Sequence, residues 1–143
     1  MSSIEQYHLE LFRQSLRRVT RKAGFFDSFY DNFMGQSEEI AEFFHNRDMH
    51  QLKHKLQETL QMLTDTVEGR PGSGLYIEML GRIHQRLTVE RKHFVMWEEA
   101  LLETVESYDD EFDGRIQAAW REVIESVIER MYSTTANISR AAS

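Results

Sequence analysis

The sequence predicts an all-α protein, and three observations carry that prediction. The 143 residues include only 7 glycines and 1 proline, whereas sheet proteins spend both freely on turns. No segment alternates apolar and polar residues with the period of two that a half-buried strand requires. Most directly, Met49, Leu52, Leu56, Leu60, Leu63 and Val67 step by three, four, four, three and four. That spacing draws one apolar stripe along a helix of about five turns.

The other elements follow from the same periodicity. Residues 4–22 read as a first helix with Ile4, Leu11, Phe12, Leu16 and Val19 inward and a basic cluster from Arg17 to Lys22 outward. Gly24 breaks it, and residues 25–36 form an aromatic-rich second helix. Gly35 and Ser37 turn the chain into a short helix over 37–44 with an acidic first turn, which the helix dipole favours. The striped helix occupies 49–67, and Glu68-Gly-Arg-Pro-Gly-Ser-Gly74 is the strongest breaker in the chain. Helices are then expected over 75–87, over 91–107 with Phe94, Trp97, Leu101 and Val105 inward, and over 112–132 with Ile116, Ala119, Trp120, Val123, Ile124, Val127 and Met131 inward. The small, polar stretch 133–143 is expected to be a flexible tail after a single domain over 1–132.

Composition narrows the function classes. With 41% apolar and 29% charged residues the chain is ordinary for a globular domain. A net charge of −7 argues against a general nucleic-acid or anionic-membrane surface. No stretch approaches the ~20 apolar residues that span a bilayer, and the N-terminus lacks signal-peptide regions, so a cytoplasmic protein is expected. The absence of cysteine removes disulfides and thiolate chemistry and leaves histidine, carboxylate, tyrosine or methionine as metal ligands. Phosphate loops, dinucleotide motifs and nucleophile elbows are not found.

His84 is the most informative residue. Ile77, Leu80, His84 and Leu87 recur at spacings of three, four and three, so the imidazole points inward with aliphatic side chains. A histidine in apolar company needs partners for its ring nitrogens. A backbone carbonyl would satisfy it, as would a metal centre. Tyr30 and Phe44 likewise read either as core aromatics or as parts of a site.

The joint pattern points further. Phe29-Tyr30-Asp-Asn-Phe33, Phe44 fourteen residues after Tyr30, the run Leu80-Gly-Arg-Ile-His84-Gln-Arg-Leu87-Thr-Val89, Phe94, Trp97-Glu-Glu-Ala-Leu-Leu102-Glu-Thr-Val105 and Ala119-Trp120 together resemble bacterial single-domain globins and flavohaemoglobin haem domains, over roughly residues 5–131. The resemblance implies a globin fold, a three-over-three helical sandwich of about seven helices, around one haem b held without covalent attachment. It makes His84 the proximal iron ligand, Phe44 the ring stacked on the porphyrin, and Tyr30 the distal donor to a gas ligand. Leu87, Val89 and Phe94 would line the proximal side, with Leu80 and Trp97 completing the contacts. Haem is flat and apolar, so aromatic and aliphatic walls suit it, while the iron needs one fixed nitrogen.

The distal helix departs from a simple match. In the family a glutamine or histidine usually faces the ligand four residues before an apolar contact. With Leu56 as that contact, Leu52 takes the polar position and Tyr30 is the strong donor. Gln51 in that place would set Lys55 against the haem, while His50 and His54 project toward water. Lys55, near the edge of the stripe, suits a haem propionate. Arg91-Lys92-His93 reads as a solvated face whose first turn reaches toward propionates, His50 and His54 as a weak surface metal pair, and Asn137-Ile-Ser as a sequon by pattern alone.

Function follows from the resemblance as an expectation: reversible binding of O2, CO and NO. An NO dioxygenase is the enzymatic alternative, and it would need a separate reductase because 143 residues leave no room for a flavin or nicotinamide domain. A stand-alone gas sensor is the third reading.

Overall fold

The computed structural model describes residues 4–87 and 89–142, and of 133–142 the backbone path alone. Seven helices follow one another, and no strand occurs among the described residues: α1 (Gln6–Thr20), α2 (Phe25–Met34), α3 (Glu38–Phe43), α4 (Met49–Val67), α5 (Ser73–Arg86), α6 (Arg91–Tyr108) and α7 (Gly114–Ala142). None of these helices is long and apolar enough to cross a membrane. The side chains of the Asn137-Ile-Ser sequon and of the C-terminal tail lie outside the described residues.

Local chemistry explains the boundaries. Gly24 begins α2 at φ 89°, and a Cβ there would stand 3.1 Å from the Tyr108 hydroxyl, so glycine is required on both counts. The Ser37 hydroxyl accepts from the Ile40 N–H at 3.1 Å, and the Asp48 carboxylate accepts from the His50 N–H at 3.0 Å. These two bonds cap α3 and α4. Asp113 does the same for α7, accepting from the backbone N–H groups of Arg115 and Ile116, both at 3.0 Å. Gly72, at φ 87°, launches α5 at Ser73, two residues before the expected start. α7 begins at Gly114 and its helical backbone continues to Ala142, ten residues past the expected end at 132.

Packing centres on α7, which α1, α4, α5 and α6 all meet, while α2 lies along α6 and carries α3. All the residues expected inward on α7 up to Met131 are buried, from Ile116 to Met131 itself. Trp120 meets Phe12 edge-on, with ring centroids 4.8 Å apart. On α1 the buried line is Leu9, Phe12, Ser15 and Val19, with Leu11 and Leu16 only half-buried.

The shift toward Ser15 has a cause on neighbouring helices. Trp120 Nε1 donates to the Ser15 hydroxyl at 2.8 Å, and Ser15 donates to Asp109 at 2.6 Å. Arg18 grips the same carboxylate with Nε at 2.7 Å and Nη2 at 2.9 Å. The basic cluster expected on the outer face of α1 therefore gives up Arg18 to a buried tie, because Asp109 at the end of α6 needs a counter-charge.

Candidate functional site

His84 sits on α5, half-buried, and its Nδ1 is one of three buried side-chain polar atoms without a hydrogen-bond partner among the described residues. Burial pushes its pKa below the usual value, opposed in part by the Leu80 carbonyl one turn back. That carbonyl thus lies close enough to act on the ring, although Nδ1 makes no well-formed bond to it. The imidazole is accordingly neutral near neutral pH, with a lone pair to offer.

Its neighbours are aromatic. Phe94 stands edge-on to the imidazole at 5.2 Å, and Tyr132 stands edge-on to Phe94 at 5.6 Å. The Arg91 guanidinium lies 4.3 Å over the Tyr132 ring and bonds Glu129 at 2.8 Å. A half-open, mainly apolar cavity of about 80 Å³ lies among Gly81, His84, Val89, Phe94 and Tyr132. Leu80 is half-buried against the core as expected. Leu87 is not inward: 51% of it is exposed. It caps α5 beyond the last helical residue, where helical phase no longer sets side-chain direction.

A second aromatic group surrounds Tyr30. Its ring lies 5.0 Å from Phe29 and 5.8 Å from Phe44, while Phe33 lies 5.6 Å from Phe44 and Trp97 lies 5.9 Å from Phe29. The sequence-predicted residues Tyr30, Phe44 and Trp97 thus share one cluster, and α6 links it to His84 because Phe94 and Trp97 are three residues apart on that helix. The Tyr30 hydroxyl donates to the Leu52 carbonyl at 2.6 Å, which is the bond of a core tyrosine. Burial pushes its pKa up to about 12, so the phenol remains a donor.

On α4, Leu56 is buried and Leu52 half-buried against the core. Gln51, His50, His54 and Lys55 are exposed. His54 pairs with Glu58 at 2.9 Å, and Lys55 approaches the same carboxylate at 3.8 Å. Lys55 is not brought to the His84 cluster.

Two buried groups escape sequence reasoning. His93 was expected on a solvated face, but it is only 4% exposed. Its Nδ1 accepts from the Glu90 N–H at 2.9 Å and its Nε2 donates to Glu39 at 2.7 Å, tying α6 to α3. Neither bond gave a sign in the sequence, where Glu39 lies 54 residues away. Glu98 is buried, bonded to Arg121 at 2.8 Å through Oε2, with Oε1 unpartnered.

A globin family model matches residues 27–131. A solved protein of Pseudomonas aeruginosa PAO1, described as structurally highly homologous to a human haemoglobin, is 30% identical over 90% of this chain and 98% of its own, with a TM-score of 0.83. No curated protein sequence matches the chain.

Proposed function

The chain belongs to the globin family, and on that premise we propose that it holds one haem b through His84 and binds O2, CO and NO there. Haem binding and small gas ligands are general to the family; the residue roles, the haem type and the wider ligand range are this proposal. The observation that carries it is His84 itself, a neutral imidazole set among apolar and aromatic side chains with one buried nitrogen lacking a partner. The donor set fits. One imidazole nitrogen suits a single iron bond, and Leu80, Phe44, Phe94 and Trp97 offer the apolar walls that a porphyrin needs. Without cysteine, no thioether attachment is available. Bound haem supplies an iron coordination position open to a diatomic gas.

The protein's own groups then decide selectivity. Tyr30 would exchange its bond to the Leu52 carbonyl for one to a polar ligand, and Leu52 and Leu56 would exclude water. The exposure of His50, His54 and Lys55 supports a five-coordinate ferrous form. The buried Tyr30 donor also favours a second reading, oxidation of NO by O2 to nitrate with one electron from a separate reductase; rapid ferric reduction by a cell extract would distinguish it. A sensing role would show as ligand-dependent oligomerisation, and a cytoplasmic location belongs to the same proposal.

Haemin titration of wild type and His84→Ala tests the assignment. Wild type should develop a sharp Soret band and a five-coordinate ferrous spectrum, and the variant should lose both. A variant that keeps that ferrous spectrum without added imidazole overturns the role of His84.

A further inference from the structure

His93 has both ring nitrogens committed, and their partners leave it one protonation state. It is 4% exposed and stands at the third position of α6, reaching back to the N-cap residue Glu90. The Glu90 N–H donates to its Nδ1 at 2.9 Å, so that nitrogen keeps its lone pair. The Glu39 carboxylate lies 2.7 Å from Nε2. The bond from His93, then the charge of Lys92, outweigh desolvation and hold that carboxyl below the ordinary carboxylate range. An ionised acceptor there requires Nε2 to carry the ring's proton. A second proton has only Nδ1 to enter, where it would meet the Glu90 N–H donor against donor. The charges around the ring do little to offset that conflict. Glu39, from α3, is half exposed and shared with Lys92 at 3.4 Å, and Lys92 lies equally close to the Glu90 carboxylate. Exposed, shared pairs contribute little, whereas losing a helix cap costs more. Phe43, edge-on to the ring at 5.4 Å, adds no charge.

This imidazole also joins the two aromatic groups described above. Phe44 follows Phe43 at the end of α3 and lies 5.8 Å from Tyr30, while Phe94 follows His93 and stands edge-on to His84 at 5.2 Å. We propose that His93 is an acid-released clasp between α3 and α6. Neutral, it caps α6 and holds the helix start that carries Phe94 to the helix that carries Phe44; on gaining a proton at Nδ1 it gives up the cap and loosens one from the other. Imidazole is the side chain that changes charge between pH 5 and 8, so mild acid is the trigger. The consequence for haem retention rests on the proposed function, whereas the release of the cap does not.

His93→Gln separates the clasp from general acid effects, because glutamine is a residue that ordinary capping boxes place at this position and it has no proton to gain. In the haem-free protein, NMR should show the Glu90 amide of wild type losing about fivefold in protection from solvent exchange between pH 8 and pH 5.5, the effect of one lost cap. His93→Gln should keep its protection at both values. In the haemin-loaded protein, transfer of haemin to a scavenging apoprotein should quicken about fivefold more in wild type than in the variant over the same interval, since acid weakening of the His84–iron bond is common to both. Wild-type protection that is equal at the two pH values, or that falls equally in both proteins, overturns the proposal. Equal quickening of haemin transfer overturns its link to the haem site. If the variant does not fold, wild type alone decides: the nitrogen-15 signals of His93 and the protection of Glu90 must change at one midpoint, and separate midpoints overturn the clasp. If wild type takes up no haem, the functional reading fails separately, and the Glu90 amide still decides this one.

Discussion

A phenol that is 5% exposed and donates to a carbonyl at 2.6 Å, as Tyr30 does to Leu52, has one proton to give. In the proposed function a polar gas ligand competes with that carbonyl for it. The two demands make Tyr30→Phe informative twice. Loss of the bond to Leu52 should lower stability by about 1 kcal/mol, a typical net hydrogen-bond contribution. Loss of the donor should quicken O2 dissociation about tenfold, equivalent to ~1.4 kcal/mol, with a smaller effect on CO, which carries less charge. Stopped-flow O2 release decides the point, and equal rates would leave Tyr30 as a core tyrosine. Because burial raises the phenol's pKa from 10.0 to about 12, its contribution to stability is full below 10 and is lost only as pH rises through about 12. O2 release should therefore show no titration of this group at neutral pH.

Between elements, the clasp of α6 on α7 depends on a carboxyl at odds with its surroundings. Glu98 is 7% exposed, and burial first, then Glu125, raise its pKa to about 7 against the pull of Arg121. The unpartnered Oε1 is consistent with a group that loses little by being neutral. A raised folded-state pKa means that this contribution is complete below the ordinary 4.5 and disappears as pH rises through about 7. Glu98→Gln cannot ionise and can still accept from Arg121. Relative to wild type it should gain on the order of 2 kcal/mol at pH 8 and almost nothing at pH 4, read by denaturant unfolding at the two values. A gain that is equal at both would show that ionisation is not the cause. Neither Glu98 nor His93 was legible in the sequence, and the reason is common to both. Periodicity tells which face a helix buries only where that face is apolar, and the partners that make a charged residue tolerable inside lie on other helices, Arg121 for Glu98 and Glu39 for His93. By contrast, Leu56, Leu60 and Leu63 on α4 and the full stripe of α7 were readable, because the sequence spacing alone selects their face. His84 was readable for the same reason, and Leu87 was misplaced because α5 ends at Arg86, one residue before it.

Across the whole molecule, the stabilising polar network and the proposed haem site occupy different groups of residues. Trp120, Ser15, Asp109 and Arg18 form one chain of hydrogen bonds through α7, α1 and the end of α6. His84, Phe94 and Tyr132 lie on α5, α6 and α7 with none of those partners. Burial alone would raise the pKa of Asp109, but bonds from Arg18, Ser15 and the Glu111 N–H outweigh it and hold the carboxyl below 3.8. A depressed pKa means that the stability is present above that ordinary value and is lost as pH falls through the still lower folded one. Asp109→Ala leaves the Ser15 hydroxyl without its acceptor and Arg18 with only the exposed Glu111 at 3.4 Å as a partner, so it should cost about 2 kcal/mol. The variant should therefore unfold at lower denaturant at pH 7, yet lose less than wild type between pH 5 and pH 2. The folded variant loaded with haemin should keep the wild-type Soret band and CO association rate, since no residue near His84 takes part in the network. Parallel loss of the haem spectrum in the still-folded variant would mean that the two ends of the fold are coupled through α6.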